Sequence, residues 1–453
     1  MFHATLDLAD VQDFRGRLHG ELICMGDEGY DCARKVWNGM IDKRPLLITR
    51  CAGVADVVSA VQFARSQHLP IAVRGGGHNV GGKAVCDKGI VIDLSQMKGM
   101  QVDPIKCTAR AEPGLTLGEF IRETQDFGLV TPVGTVSTTG LSGLTLGGGI
   151  GWLMGKYGLT IDNLLSVNIV TADGRVLTAN ASEHPDLFWG VRGGGGNFGI
   201  VTSFEFQLHP VGQVLAGMVL HPMTRAREVL EFYREYTSTA PDELTTYAAL
   251  VTTPEGLPAI GIALCYCGAL EEGERLVAPV RTFGPPLVDL IRPMSYLEAI
   301  SMLDVASPAG HYYYFKTSTL KSLSDEAINT IVNYGLARTS PFTVVLIEHL
   351  HGVASRVGPT ETAFVQRDES YIMGIFSNWT NGEADTHIEW TQAFWKATEP
   401  FATGVYVNYL GEEGEERVRA AYGINYQRLI ALKNKYDPAN FFHLNQNIKP
   451  TAQ

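Results

Sequence analysis

At 453 residues, 45% of them hydrophobic and 19% charged, the chain is long enough for two or three domains around large cores. Its formal net charge of −12, with no basic run, excludes the electrostatic footprint of a nucleic-acid partner, and no uninterrupted apolar stretch reaches the roughly 20 residues of a membrane span. Seven cysteines, an odd number, and an N-terminus without a basic start or apolar core argue against a disulfide framework and make a cytoplasmic protein the expectation.

Pro45–Arg50 is a short apolar run that reads as a strand, and Val57, Val58, Val61, Phe63 and Ala64 predict a helix over Asp56–Gln67. Ile71–Val73 is a strand that opens into Arg74-Gly75-Gly76-Gly77-His78-Asn79-Val80-Gly81-Gly82. Consecutive glycines let backbone N–H groups approach an anion with no Cβ in the way, and an imidazole inside such a loop can touch whatever the loop cradles. Gly89–Leu94 reads as a strand and Leu115–Gln125 as a helix. A second glycine cluster spans Thr138–Trp152 and a third Arg192–Val201. Between them, Ser166–Thr171 and Val176–Thr178 predict a hairpin turning at Asp173-Gly174. Pro185–Val191 is helix-like, and Ile200–Leu208 alternates as a strand does. Three clusters beside apolar runs suggest one extended ligand held by several backbone turns in a mixed α+β domain ending near Pro210.

From about 213 to 405 the glycine clusters vanish. Strand-like Leu244–Val251 and Phe342–Glu348 alternate with helical Arg225–Tyr236 and Ser324–Tyr334, which predicts a sheet backed by helices. Glu412–Tyr436 reads as one or two helices before an asparagine-rich tail at Asn445-Gln446-Asn447.

Several chemistries lack support. Gly194–Gly199 fits G-x-G-x-x-G, but a helix precedes it and a strand follows, the reverse of a Rossmann nicotinamide site. No glycine loop ends in Gly-Lys-Ser/Thr, and neither His-Glu-x-x-His nor Gly-x-Ser-x-Gly occurs. Cys265 and Cys267 have no second pair to complete a zinc site, so no metal is expected.

Taken together, the loops resemble those of flavoproteins of the vanillyl-alcohol oxidase (PCMH) type, in the berberine bridge enzyme-like branch. The resemblance runs in register from about residue 40 onward and includes Tyr157–Asn163, Asp186–Gly195, Tyr406-Val407-Asn408-Tyr409 and Asn445–Ile448. It implies an FAD-binding domain of two α/β subdomains at 1–212 (core about 40–212). It further implies a substrate domain at 213–405 with an antiparallel sheet backed by helices, and a C-terminal segment at 406–453 that returns to the first domain.

The same resemblance implies cofactor contacts. From the first loop these are Arg74, Gly75, Gly76, Gly77, His78, Asn79 and Gly81. The second brings Val136, Thr139, Gly140, Gly143, Leu144, Gly148, Gly149 and Gly151, with Asp162 and Asn163 after it. Gly199, Val201, Asn408, Asn445 and Asn447 complete the set. In the family the histidine of the first loop is bonded to the flavin 8α position. Val136 stands where many members carry a second, cysteinyl attachment, and valine cannot form a thioether. His78 is therefore the single expected tether, as in the subset that includes 6-hydroxynicotine oxidase. Thr139 takes a position that influences oxygen access, and oxidase and dehydrogenase behaviour both stay open.

The implied reaction is removal of a hydride from a C–H bearing oxygen or nitrogen, delivered to flavin N5. Tyr409 is the expected base, with Tyr406 as the alternative. Lys316 is the candidate positive neighbour, and Glu348 a further candidate. A hydroxyl on a sugar or other small alcohol is the first expectation, with an amine or natural-product substrate as the alternative and a flavin-binding protein without turnover as a third. Tyr312, Tyr313, Tyr314, Phe376 and Trp379 suit stacking on a sugar face or an aromatic ring. Molecular oxygen or another electron acceptor, and a monomer or homodimer, complete the expectations.

Overall fold

The computed structural model describes residues 6–451. In the first sheet Glu21–Cys24, Leu47–Arg50, Ile90–Asp93 and Ile71–Arg74 lie in that spatial order. The last three are parallel, the first antiparallel. Parallel strands covered on both faces read as continuous apolar runs, and Ile71, Ala72, Ile90, Val91 and Ile92 are all buried. Helix Val54–Ser66 covers one face through Val57, Ala60, Val61 and Ala64. Tyr30 and Val85 pack on the other.

The second sheet is antiparallel, in the order Met100–Asp103, Thr108–Ala111, Ile200–Gln207, Leu164–Val170, Val176–Asn180. The hairpin expected at Asp173-Gly174 is formed. Gly174 has φ +81°, and its N–H donates to the Thr171 carbonyl at 2.9 Å. Helix Leu117–Gln125 begins with a reciprocal cap, in which Thr116 accepts from the Glu119 N–H and Glu119 from the Thr116 N–H.

The third sheet is built around the long antiparallel strands Val214–Pro222, Pro258–Tyr266, Leu244–Thr252, Val344–Leu350, Ser370–Trp379 and Tyr312–Leu320, in that order. Side chains alternate between its faces. Leu215, Val219, Ile262, Val345 and Ile375 pack on Val229, Leu230, Ile331 and Phe394 of the backing helices. Ala216, Ala249, Ala263 and Leu346 point the opposite way, towards the first half of the chain. Three of these strands (Val214–Pro222, Pro258–Tyr266, Tyr312–Leu320) and helix Ala384–Thr398 are not expected from sequence; in Val214–Pro222 and Pro258–Tyr266 nearly every residue is buried, so the apolar run carries no clean period.

Helices Glu415–Tyr422 and Tyr426–Tyr436 return to the first half. There the buried Lys433 ammonium donates to the Asn197 carbonyl, the Phe442 carbonyl and Asp437, at 2.8–2.9 Å. Among the described residues no helix is long and apolar enough to cross a membrane.

Candidate active site

The glycine loops, the inner face of the third sheet and the C-terminal segment enclose a cavity of about 1300 Å³. That exceeds the roughly 300–1,000 Å³ of a pocket for a drug-sized ligand. Gly75, Gly76, Gly77, His78 and Asn79 line it from the first loop, and Val136, Thr139, Gly140, Gly143 and Leu144 from the second. Gly199, Val201, Asn408 and Asn445 close it. The first two loops cross in contact, so that a Cβ on Gly76 would lie 2.5 Å from the Gly140 Cα and nitrogen. Gly140→Ala is expected to lose most of its bound flavin, read as the ratio of flavin to protein absorbance in the purified protein. The added methyl drives two backbones apart, a distortion of about 1–3 kcal/mol.

His78 sits in a pile of rings. Its imidazole stacks on Trp37 at 4.3 Å, and Trp37 stacks on Tyr313 at 3.7 Å. The Trp37 indole donates to the Ser307 carbonyl at 3.0 Å and the Tyr313 hydroxyl to the Pro308 carbonyl at 2.5 Å. The His78 Nε2 is buried without a hydrogen-bond partner. Burial lowers the imidazole to about 4, so it is neutral at physiological pH. Asn445 donates to the Gly196 and Phe442 carbonyls while its own Oδ1 is buried and unpaired. A glycine cradle, an unpaired neutral imidazole and an unpaired amide oxygen on one large cavity fit a dinucleotide with a reactive ring system, as FAD has.

Also on the cavity wall, the Tyr409 hydroxyl donates to Glu348 Oε1 at 3.2 Å. Glu348 is 1% exposed, and its second oxygen has no partner. It sits mid-strand, opposite Tyr247 on one side and Ile372 on the other. Burial raises its carboxyl to about 8, and the bond from Tyr409 partly offsets this. Burial, then the adjacent Glu348 charge, holds the Tyr409 phenol well above its ordinary value. Tyr406 packs edge-on to Tyr409 at 4.9 Å. Its hydroxyl accepts from the Gly149 N–H at 3.0 Å and from the Asn408 amide at 2.7 Å. Burial again raises that phenol, to about 12.

Other residues singled out from sequence lie away from the cavity wall. Phe315 faces the cavity, so its strand neighbour Lys316 faces the opposite way, paired with Glu413 at 3.3 Å and lying over Trp395. It is not the positive neighbour expected for Tyr409. Asp162 does not face the cavity either. Both its oxygens accept from Arg367 at 2.8 Å, and both side chains are largely buried. Asn163 donates to the Tyr157 and Leu159 carbonyls and bonds His209. Arg74 turns away from this cavity into a buried pair with Asp93 and a bond to the Ala33 carbonyl.

The remaining glycines serve close packing. Gly81 abuts Gly411, Gly148 the Phe364 and Tyr406 rings, Gly149 Thr160, and Gly151 the Val133 carbonyl. Asn447 is off the wall, its Oδ1 unpaired. Of the five aromatics, Tyr313 and Phe376 line the cavity. Tyr312 is exposed, Tyr314 lies against Lys316, and Trp379 stacks on His387. Arg367→Met is expected to cost about 3–5 kcal/mol of stability in chemical denaturation, because Asp162 is left buried without its partner.

Residues 45–180 match the FAD binding domain family, and residues 405–449 the family described as berberine and berberine like. An FAD-linked oxidoreductase of Dictyostelium discoideum is 35% identical over 447 residues, 97% of each chain. The chain belongs to the berberine bridge enzyme-like FAD-linked oxidoreductases. The structure of 6-hydroxy-D-nicotine oxidase from Arthrobacter nicotinovorans matches with a TM-score of 0.88 at 30% identity, over 95% of this chain and 98% of that one. Glucooligosaccharide oxidase from Acremonium strictum, described with a 6-S-cysteinyl, 8α-N1-histidyl FAD, matches in fold with a TM-score of 0.89. It is 23% identical over 98% of this chain and all of that one.

Two residues of this FAD-linked oxidoreductase escape sequence reasoning. Trp37, in a loop with no motif around it, supports the His78 ring. Asn197, inside the third cluster, donates to the Gly194 and Gln446 carbonyls and accepts from the Ile448 N–H. The asparagine-rich tail was the one signal for the second contact, and nothing signalled the first.

Proposed function

We propose that the enzyme oxidises a carbon bearing a hydroxyl group, using FAD tethered through His78 alone and the Tyr409–Glu348 pair as proton acceptor. FAD, when bound, supplies the two-electron oxidation and passes the electrons on to oxygen or another acceptor. The chain's own residues supply position and proton transfer. A hydroxyl must lose its O–H proton as its C–H hydride departs, and a substrate hydroxyl on the cavity side of Tyr409 can give that proton to the phenolic oxygen. The phenol is held far too basic to be ionised in advance, so it passes its own proton to Glu348 Oε1 as it takes the new one. Glu348 is thus the net acceptor and Tyr409 the group that touches substrate.

The observation that carries the reading is the hydrogen bond from Tyr409, on the cavity wall, to the buried carboxyl of Glu348 behind it. Amine oxidation, the reading favoured by likeness to 6-hydroxy-D-nicotine oxidase, has less need of such a pair. A neutral amine has a lone pair to support hydride loss and no O–H proton to surrender. Single attachment through His78 is supported by its unpaired, neutral imidazole, by Val136 on the wall, and by the lack of any cysteine on that wall among the described residues. Anaerobic mixing with a panel of alcohols and amines tests the reaction. Bleaching of the flavin's visible band by alcohols is expected. Bleaching by amines alone would overturn the hydroxyl assignment, and no bleaching at all would favour a binding protein without turnover.

A further inference from the structure

The substrate side of the cavity says what body the hydroxyl is attached to. On the third sheet's side of the cavity, with Tyr409, the walls include Met218, Ala249, Ala263, Met294, Leu346 and Phe376. Ala249 and Ala263 sit on adjacent central strands, and their small side chains leave the middle of the sheet open beneath the chamber. Several of the polar groups among the cavity-lining residues are already engaged. Asp289 binds Arg281, Arg292 binds Glu298, and His311 bonds Asn378 at 2.9 Å. Thr253 accepts from the Leu257 N–H, and the Tyr313 hydroxyl is spent on Pro308. A sugar in this chamber would bury hydroxyls against mostly apolar walls, each unpaired one at a desolvation cost.

The rim has the same character. Leu290, Val305 and Phe342 belong to the cavity wall, yet they are 55%, 88% and 46% exposed. Leu257, also exposed, adjoins the wall residue Gly256. Scattered surface apolar residues are ordinary, but a group concentrated around one opening marks a surface that meets something apolar.

We propose that the substrate is an alcohol whose hydroxyl-bearing carbon carries an extended apolar body, long enough to fill the chamber and lie against the Leu290–Val305–Phe342 rim. This rests on the hydroxyl reading above for its reacting group and on the chamber walls for the rest. Sugars are thereby excluded as the preferred class.

Flavin-loaded enzyme, mixed anaerobically with para-alkylbenzyl alcohols from methyl to octyl, tests it. The expected second-order rate constant for flavin reduction rises about fourfold per methylene while the chain lengthens inside the chamber, and levels off once the tail clears the rim. A flat series, or glucose oligomers that bleach the flavin at lower concentration than the octyl compound, overturns the proposal. The redox-inert para-alkylbenzamides, followed by the shift they cause in flavin absorbance, separate this failure from that of the hydroxyl reading. Amides that bind more tightly with length, with no alcohol oxidised, sink the hydroxyl reading and keep the apolar substrate class. Amides without length dependence sink the class whatever the alcohols do. The double variant Val305→Ser/Phe342→Ser changes two exposed side chains, so its fold is not at stake. It is expected to lower the octyl-to-methyl affinity ratio about tenfold, and an unchanged ratio removes the rim from the site.

Discussion

Tyr409→Phe is expected to lower kcat by about 10²–10⁴-fold, the ordinary worth of a positioned acid–base group, while bound flavin is retained. Glu348→Gln is expected to fall in the same range, because the phenol then has no carboxylate to receive its proton. The two losses should not add, since the residues act as one unit. The pH profile separates this role from mere packing. The pair accepts a proton only when Glu348 is ionised, and burial raises that carboxyl to about 8. Wild-type kcat/KM should therefore climb with pH through about 8 and then level off, and the climb should be missing in Glu348→Gln. The stability effect has the opposite sign. A carboxyl raised from 4.5 to about 8 on folding stabilises the fold in its protonated form. Its contribution is complete below 4.5 and is lost as pH rises through 8. Stepped denaturation midpoints in Glu348→Gln should be flatter over that window than in the wild type. A Tyr409→Phe enzyme with near-normal turnover would remove the dyad from the chemistry.

His78→Ala is expected to abolish covalent flavin altogether. Wild-type protein precipitated by acid should stay yellow and carry one FAD mass on the peptide containing His78. The variant's pellet should be colourless, with the flavin in the supernatant. A yellow variant pellet would place an attachment elsewhere, and a colourless wild-type pellet would refute covalent binding. Trp37→Ala should slow the attachment without preventing it, since Trp37 holds the ring by stacking and provides no bond.

What could be read from the chain follows distance along it. The glycine loops are local features, and so are the Asp173-Gly174 hairpin and the helix Val54–Ser66, where period or turn chemistry is complete within a dozen residues. The proton pair is not local. Tyr409 and Glu348 are 61 positions apart and meet only because strand register and the return of the C-terminal segment bring them together. Lys316, expected near the flavin from the family resemblance, shows the limit of carrying a residue over. Alternation places Phe315 and Lys316 on opposite faces, but which face looks inward is decided by helix Ala384–Thr398 packing on the other side. Asp162 shows a second limit. The family resemblance of Tyr157–Asn163 implies a ligand contact for it, whereas its partner Arg367 lies 205 positions away and carries no signal of the pairing.

Asn197 reaches Gln446 across 249 positions of chain, and Tyr409 and Asn445 join the same wall from the same late stretch. During synthesis the N-terminal half emerges and folds first. The three loops are then present for a long interval with one side of their ligand chamber missing and Asn197 without its Gln446 and Ile448 partners. The order of translation therefore separates making the glycine loops from sealing them, and retention of the cofactor depends on the segment that emerges after both sheets of the first half are complete.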